Sequence, residues 1–130
     1  MKGSYILLIK LDEDKELQIG KLGNISFKKG YYVYVGSALN GLEQRINRHL
    51  RDKKKIYWHI DYFLENAKIV DIRCRESNQR EECKIARSFS KLEHIDNFGC
   101  SDCKCKTHLF YGSKNEFIKT IEYLNMIKYF

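Results

Sequence analysis

Apolar residues in this chain come in runs of two kinds. "SYILLIKL" (4–11) is β-branched and aromatic with few breakers, which predicts a strand. "DEDKE" predicts a turn, and "LQIGKLGNISF" a weaker hairpin punctuated by Gly20, Gly23 and Asn24. "YYVYVGSA" (31–38) carries the strongest strand signal. The period then changes. In "NGLEQRINRHLR" the residues Leu42, Ile46 and Leu50 make a helical apolar stripe, with Asn40 as the expected N-cap and Glu43 three residues on, a capping-box pattern. "YWHIDYFLEN" (57–66) is apolar nearly all round and predicts a short buried helix. A strand is expected over 67–74 and a helix over 79–92, capped by Asn78 with Glu81 three on. "DNFGCSDCKCKT" reads as an irregular loop and "HLFYG" as a short strand. "SKNEFIKTIEYLNMIKYF" reads as a closing amphipathic helix capped by Ser113 with Glu116. The pattern predicts an α+β fold, a small and mainly antiparallel sheet flanked by helices, as one domain over 1–130.

Composition narrows the picture. A length of 130 residues suits one core, and 43% hydrophobic content is enough to fold it. The formal net charge of +7 favours a polyanionic partner, most often nucleic acid, although solubility alone gives a similar balance. No apolar run reaches membrane-spanning length, and the short apolar N-terminal stretch, followed at once by acidic residues, fits a first strand better than a signal peptide. Five cysteines, an odd count without export signals, argue for reduced thiols in a cytoplasmic protein or for a metal site.

Two constellations carry chemistry. Arg45 and His49 lie one turn apart at the edge of the stripe, beside the strand that holds Tyr32 and Tyr34, with Arg48 further out. A cation and an imidazole beside phenols suit a phosphate oxyanion; the plain alternative is a solvated basic edge. In the helix over 79–92, Ile85, Ala86, Phe89 and Leu92 form the core stripe, and Glu82 points into it. An inward carboxylate is costly unless it is paired or binds a cation, so Glu82 is either half of a structural ion pair or a metal ligand. In the loop, Cys100, Cys103, Cys105 and His108 approach a zinc-knuckle spacing that Cys83 would complete; buried free thiols are the alternative. His59 is expected to pack in the core. Asp61 and Glu65 are expected on the polar face of their helix, solvated or paired with Lys53, Lys54 or Lys55, and are second choices for a metal. Arg48, Arg51, Lys53, Lys54 and Lys55 form an edge suited to tracking phosphates.

"YVGSALNGLEQRINRH" resembles the second half of the GIY-YIG nuclease signature, with Tyr34, Val35 and Gly36 at the Tyr-Ile-Gly positions and Arg45 and His49 on the following helix. "GSY" (Gly3, Ser4, Tyr5) would be its first half, with Ser4 in place of isoleucine and a first hairpin longer than is usual. The motifs "YVYVGSA", "WHIDYFL" and "SDCKCKTHLF" are similar to a small microbial subfamily that is sometimes fused to endonuclease III. The resemblance implies a metal-dependent endonuclease acting on DNA or RNA, with a single Mg²⁺ or Mn²⁺ on Glu82. It also implies Tyr5 as general base or water orienter and Tyr34 hydrogen-bonding nearby. Arg45 would stabilise the phosphorane charge and His49 assist proton transfer. A DNA-repair protein as partner follows from the same likeness. Two other readings use the same residues: a nucleic-acid-binding module without turnover, and a zinc-organised interaction domain.

Overall fold

The structure is a computed structural model that describes residues 2–38, 40–51, 54–99 and 106–129. Its architecture is α+β, built on a six-stranded antiparallel sheet. The strands are β1 (Gly3–Leu11), β4 (Gly30–Ala38), β5 (Lys68–Glu76), β6 (Glu93–His94), β7 (Leu109–Gly112) and β8 (Ile127–Lys128), in the order β6-β7-β4-β1-β5-β8. Strands β2 (Lys15–Gln18) and β3 (Asn24–Phe27) form a separate hairpin. Four α-helices, α1 (Leu42–Leu50), α2 (His59–Leu64), α3 (Glu82–Arg87) and α4 (Lys114–Leu124), and a 3-10 turn at Gly20–Leu22 complete the described residues.

Strand β1 is central and apolar on both faces, because the sheet is covered on both sides. Tyr5, Leu7, Ile9 and Leu11 join Tyr32, Tyr34, Leu42, Ile46 and Phe63 in one core cluster. Ile6 and Leu8 join Val33, Val35, Ile85, Phe89 and Phe117 in another. Helices α1 and α2 thus cover one face, and α3 and α4 the other.

The β1–β4 register sets Tyr5 opposite Gly36. A Cβ at position 36 would overlap the Tyr5 ring, so glycine there is what lets the tyrosine lie flat across β4.

Several local expectations change. Helix α1 is capped at Gly41, not Asn40, and no side-chain cap bond forms. Gly41 has φ of +156°, where an L side chain is strained, and a Cβ would meet the Gln44 side chain at 2.7 Å. On α1, His49 turns inward and Leu50 stands 41% exposed, because the helix buries the flank that faces Tyr5. Helix α3 begins only at Glu82 and runs six residues; beyond it tight i→i+3 turns carry the chain to Leu92. The Ser113–Glu116 capping box of α4 is present, but the helix ends at Asn125 in the left-handed conformation (φ +55°). The residues after it form β8 against β5 instead of extending the helix. Strand β6 falls between the stretches expected to be helix and loop, where no element was expected.

Candidate functional site

A cavity of about 390 Å³ opens at the end of β1 and β4 that carries Tyr5 and Gly36. Its walls include Tyr5, Tyr34, Arg45, Tyr57, Trp58 and Glu82. Four of the five residues expected to be catalytic therefore share one cavity, and the fifth, His49, touches it through Tyr5. The Tyr5 hydroxyl lies 2.7 Å from His49 Nε2.

Burial sets the protonation of that pair. Tyr5 is almost fully buried, and loss of solvent raises its pKa well above that of a free phenol, with the Arg45 guanidinium pulling the other way. Burial likewise raises Tyr34. Burial lowers His49 to about 3, against the pull of Asp61. Near neutral pH the pair is thus a neutral phenol against a neutral imidazole, and His49 Nδ1 is buried without a hydrogen-bond partner among the described residues.

Arg45 is held on two sides. Its Nη1 donates to the Ser37 carbonyl oxygen at 3.0 Å, and its guanidinium lies 4.3 Å from the centre of the Trp58 ring. Arg48 lies over the same ring, also at 4.3 Å, so the indole is clamped between two cations.

Arg48 and Asp61 depart from expectation. Asp61 is not solvated: it is fully buried and accepts two hydrogen bonds from Arg48, at 2.8 and 2.9 Å. It also accepts from the backbone N–H groups of Tyr57 and Trp58, which start α2. These bonds hold its carboxyl below the usual range despite burial, which acts the other way. Arg48 also donates to the Lys55 carbonyl oxygen. Its guanidinium thus supplies the counter-charge that Asp61 needs at the α1–α2 corner. Of the other basic-edge residues, Arg51 and Lys55 are exposed and Lys54 donates to the His49 and Arg51 carbonyls. Lys53 lies outside the described residues.

Glu82 is 5% exposed and lines the cavity from the first turn of α3. Its Oε1 accepts from Arg80 at 2.6 Å, while Oε2 is buried with no hydrogen-bond partner among the described residues. An orphaned hard oxygen on a cavity wall fits a divalent cation that keeps most of its water shell. His59 is half-buried on the same wall; its Nδ1 accepts from the Gly99 N–H, and its ring packs against Phe98. Glu65 is exposed and borders a second, larger cavity that Tyr5 does not line but His49 does.

The cysteine expectations are only partly visible. Cys83 Sγ lies 3.8 Å from His108 Nε2, so two of the residues expected around zinc are neighbours. Cys100, Cys103 and Cys105 lie outside the described residues. Among the described residues no group of three or more His, Cys, Asp or Glu side chains gathers around a metal-sized space. No helix among them is long and apolar enough to cross a membrane.

Residue-pattern reasoning missed Arg80, Trp58 and the anchoring role of Asp61. Asp61 had a local signal, an acid three residues after a helix start, but it was hidden by an aromatic at the cap position.

A model of the domain of unknown function DUF123 matches residues 4–128. The chain belongs to the DUF123 family. No curated protein and no solved structure matches this DUF123 chain.

Proposed function

We propose that this DUF123 domain is a GIY-YIG-type endonuclease that hydrolyses phosphodiester bonds in DNA or RNA with the help of a divalent cation. The observation that carries the reading is the convergence of Tyr5, Arg45 and Glu82, from three separate elements, on one cavity, with His49 2.7 Å behind Tyr5. A packed core gives no reason to hold a buried phenol, imidazole and carboxylate together beside a half-buried guanidinium.

In this reading the Tyr5 hydroxyl donates to His49 Nε2 and offers its oxygen lone pair to the attacking water. As the water loses its proton to Tyr5, the Tyr5 proton passes to His49. Both groups are neutral near neutral pH, so Tyr5 has a proton to give and His49 Nε2 a lone pair to take it; burial, which lowers His49, works against that last transfer and makes the imidazolium short-lived. Arg45, already fixed by Ser37 and Trp58, faces the non-bridging oxygens and stabilises the charge that grows on them. Glu82 would hold Mg²⁺ or Mn²⁺ through Oε2, and such a cation supplies Lewis-acid stabilisation of the leaving oxygen.

The test is cleavage of a panel of single-stranded, duplex and branched DNA and RNA with Mg²⁺ or Mn²⁺. Cleavage that disappears in Tyr5→Phe and Glu82→Gln supports the reading. Salt-sensitive binding without cleavage under any metal would leave a non-catalytic binding module. Absence of both binding and cleavage would overturn the nucleic-acid reading altogether.

A further inference from the structure

Tyr57 is the exposed aromatic of this site. The residue is 76% exposed, yet it sits on the wall of the cavity that holds Tyr5, Arg45 and Glu82. An isolated exposed tyrosine needs no explanation, but this one is held in place. Its backbone N–H donates to the fully buried Asp61 carboxylate at 2.9 Å. Its ring stands edge-on to Trp58, with centroids 5.2 Å apart and planes at 84°. Trp58 in turn is clamped by Arg45 and Arg48. A chain of fixed groups thus runs from buried Asp61 and Arg48 to an aromatic surface open to solvent. A second tyrosine, Tyr62, lines the same cavity half-buried, beside Gly20.

The charges around it indicate the occupant. Lys21, Arg45 and Arg80 border the same cavity, and Lys55 is exposed two residues before Tyr57. Cationic groups that follow a phosphate chain, set beside an open aromatic ring, are the combination that binds unpaired nucleotides: the cations take the backbone and the ring takes a base. A paired base has both faces covered by its neighbours in the stack and cannot lie on such a ring. Resting on the nucleic-acid reading above, we infer that Tyr57 is a stacking platform for an unpaired base next to the scissile phosphate. The substrate class is therefore single-stranded or locally unpaired nucleic acid, not continuous duplex.

The experiment measures binding without divalent metal, in EDTA. Three probes carry 2-aminopurine at one position: a single strand, a fully paired duplex and a duplex with that base bulged. Wild type is expected to bind the single strand and the bulge about tenfold tighter than the duplex, within the range one stacked base contributes, with a change in 2-aminopurine fluorescence. Tyr57→Ala and Tyr57→Leu should lose that preference and the fluorescence change while still binding duplex; Tyr57→Trp should keep both. The salt slope should stay the same in all three variants, because no charge is altered. Equal affinity of wild type for all three probes, or a preference that survives Tyr57→Ala, would overturn the inference and leave the ring to a protein partner. A uniform loss of affinity in Tyr57→Ala for paired and unpaired probes alike would also overturn it. If none of the probes binds wild type, the nucleic-acid reading itself fails.

Discussion

Arg80 Nη2 stands 2.6 Å from Glu82 Oε1, and the two residues differ sharply in exposure: the Arg80 side chain is 48% exposed and that of Glu82 6%. The pair is lopsided. Removing the carboxylate leaves an arginine that can turn to water; removing the arginine leaves a buried carboxylate without that counter-charge. Glu82→Gln should therefore change metal-free stability by no more than about 1 kcal/mol, whereas Arg80→Ala should cost about 1–3 kcal/mol. If Glu82 also receives a divalent cation, Mg²⁺ should raise the melting temperature of wild type and of Arg80→Ala but not of Glu82→Gln. Thermal melts with and without Mg²⁺ decide this. A drop of about 3 kcal/mol in metal-free Glu82→Gln would make Glu82 a structural residue and remove it from the chemistry.

Tyr5→Phe deletes one oxygen from a buried pair. The remaining ring still fills the space over Gly36, so folding should survive with a loss of about 1–2 kcal/mol from the stranded His49 nitrogen. If Tyr5 relays the proton, cleavage should fall on the order of 100-fold or more, with binding intact. Urea denaturation and single-turnover rates on the same preparations separate the two effects. Full activity in Tyr5→Phe would end its assignment as base or water orienter.

His49 gives a pH signature. Its folded pKa of about 3 lies below the ordinary value of 6.5, because burial disfavours the imidazolium. Between these values the unfolded chain binds the extra proton and the folded chain does not. The stability contributed by neutral His49 is thus fully present above about pH 6.5 and is lost as pH falls toward 3. His59, also lowered by burial, contributes with the same sign, whereas Asp61 acts only below its ordinary 3.8. Wild type should lose roughly 1 kcal/mol per pH unit between pH 6 and 4. His49→Gln should show a clearly shallower fall over the same window. Parallel slopes for the two proteins would mean that His49 is protonated in the folded state.

The basic edge splits into two roles. Arg48→Ala should destabilise by about 3 kcal/mol, since it strips the counter-charge from fully buried Asp61, although the Tyr57 and Trp58 amides still bond that carboxylate. Arg51→Ala and Lys55→Ala should leave the melting temperature nearly unchanged, because both residues are exposed. If they track phosphates, each should flatten the log–log salt dependence of nucleic-acid affinity by about one unit. Unchanged slopes in both would move the phosphate path to another face of the molecule.

Local chemistry was legible without the fold in several short stretches, though not at the start of α1, where Gly41 takes the cap expected of Asn40. The strands at 4–11 and 31–38, the Ser113–Glu116 cap and the inward aim of Glu82 all follow from spacing and side-chain type over a few residues, and all are present. The α+β class follows from the same pattern. What the residue pattern left open depends on neighbours far along the chain. Asp61 reads as the polar face of a short helix, but Arg48, thirteen residues back, turns that face into a buried ion pair. His49 and Leu50 compete for one inward direction, and Tyr5, 44 residues away, decides for His49 by offering a hydroxyl. The closing helix stops at Asn125 and gives up its last turns to β8, because β5 presents an edge with unpaired backbone groups. Whether a buried polar group is tolerated depends on the partner it finds, and tertiary packing alone supplies that partner.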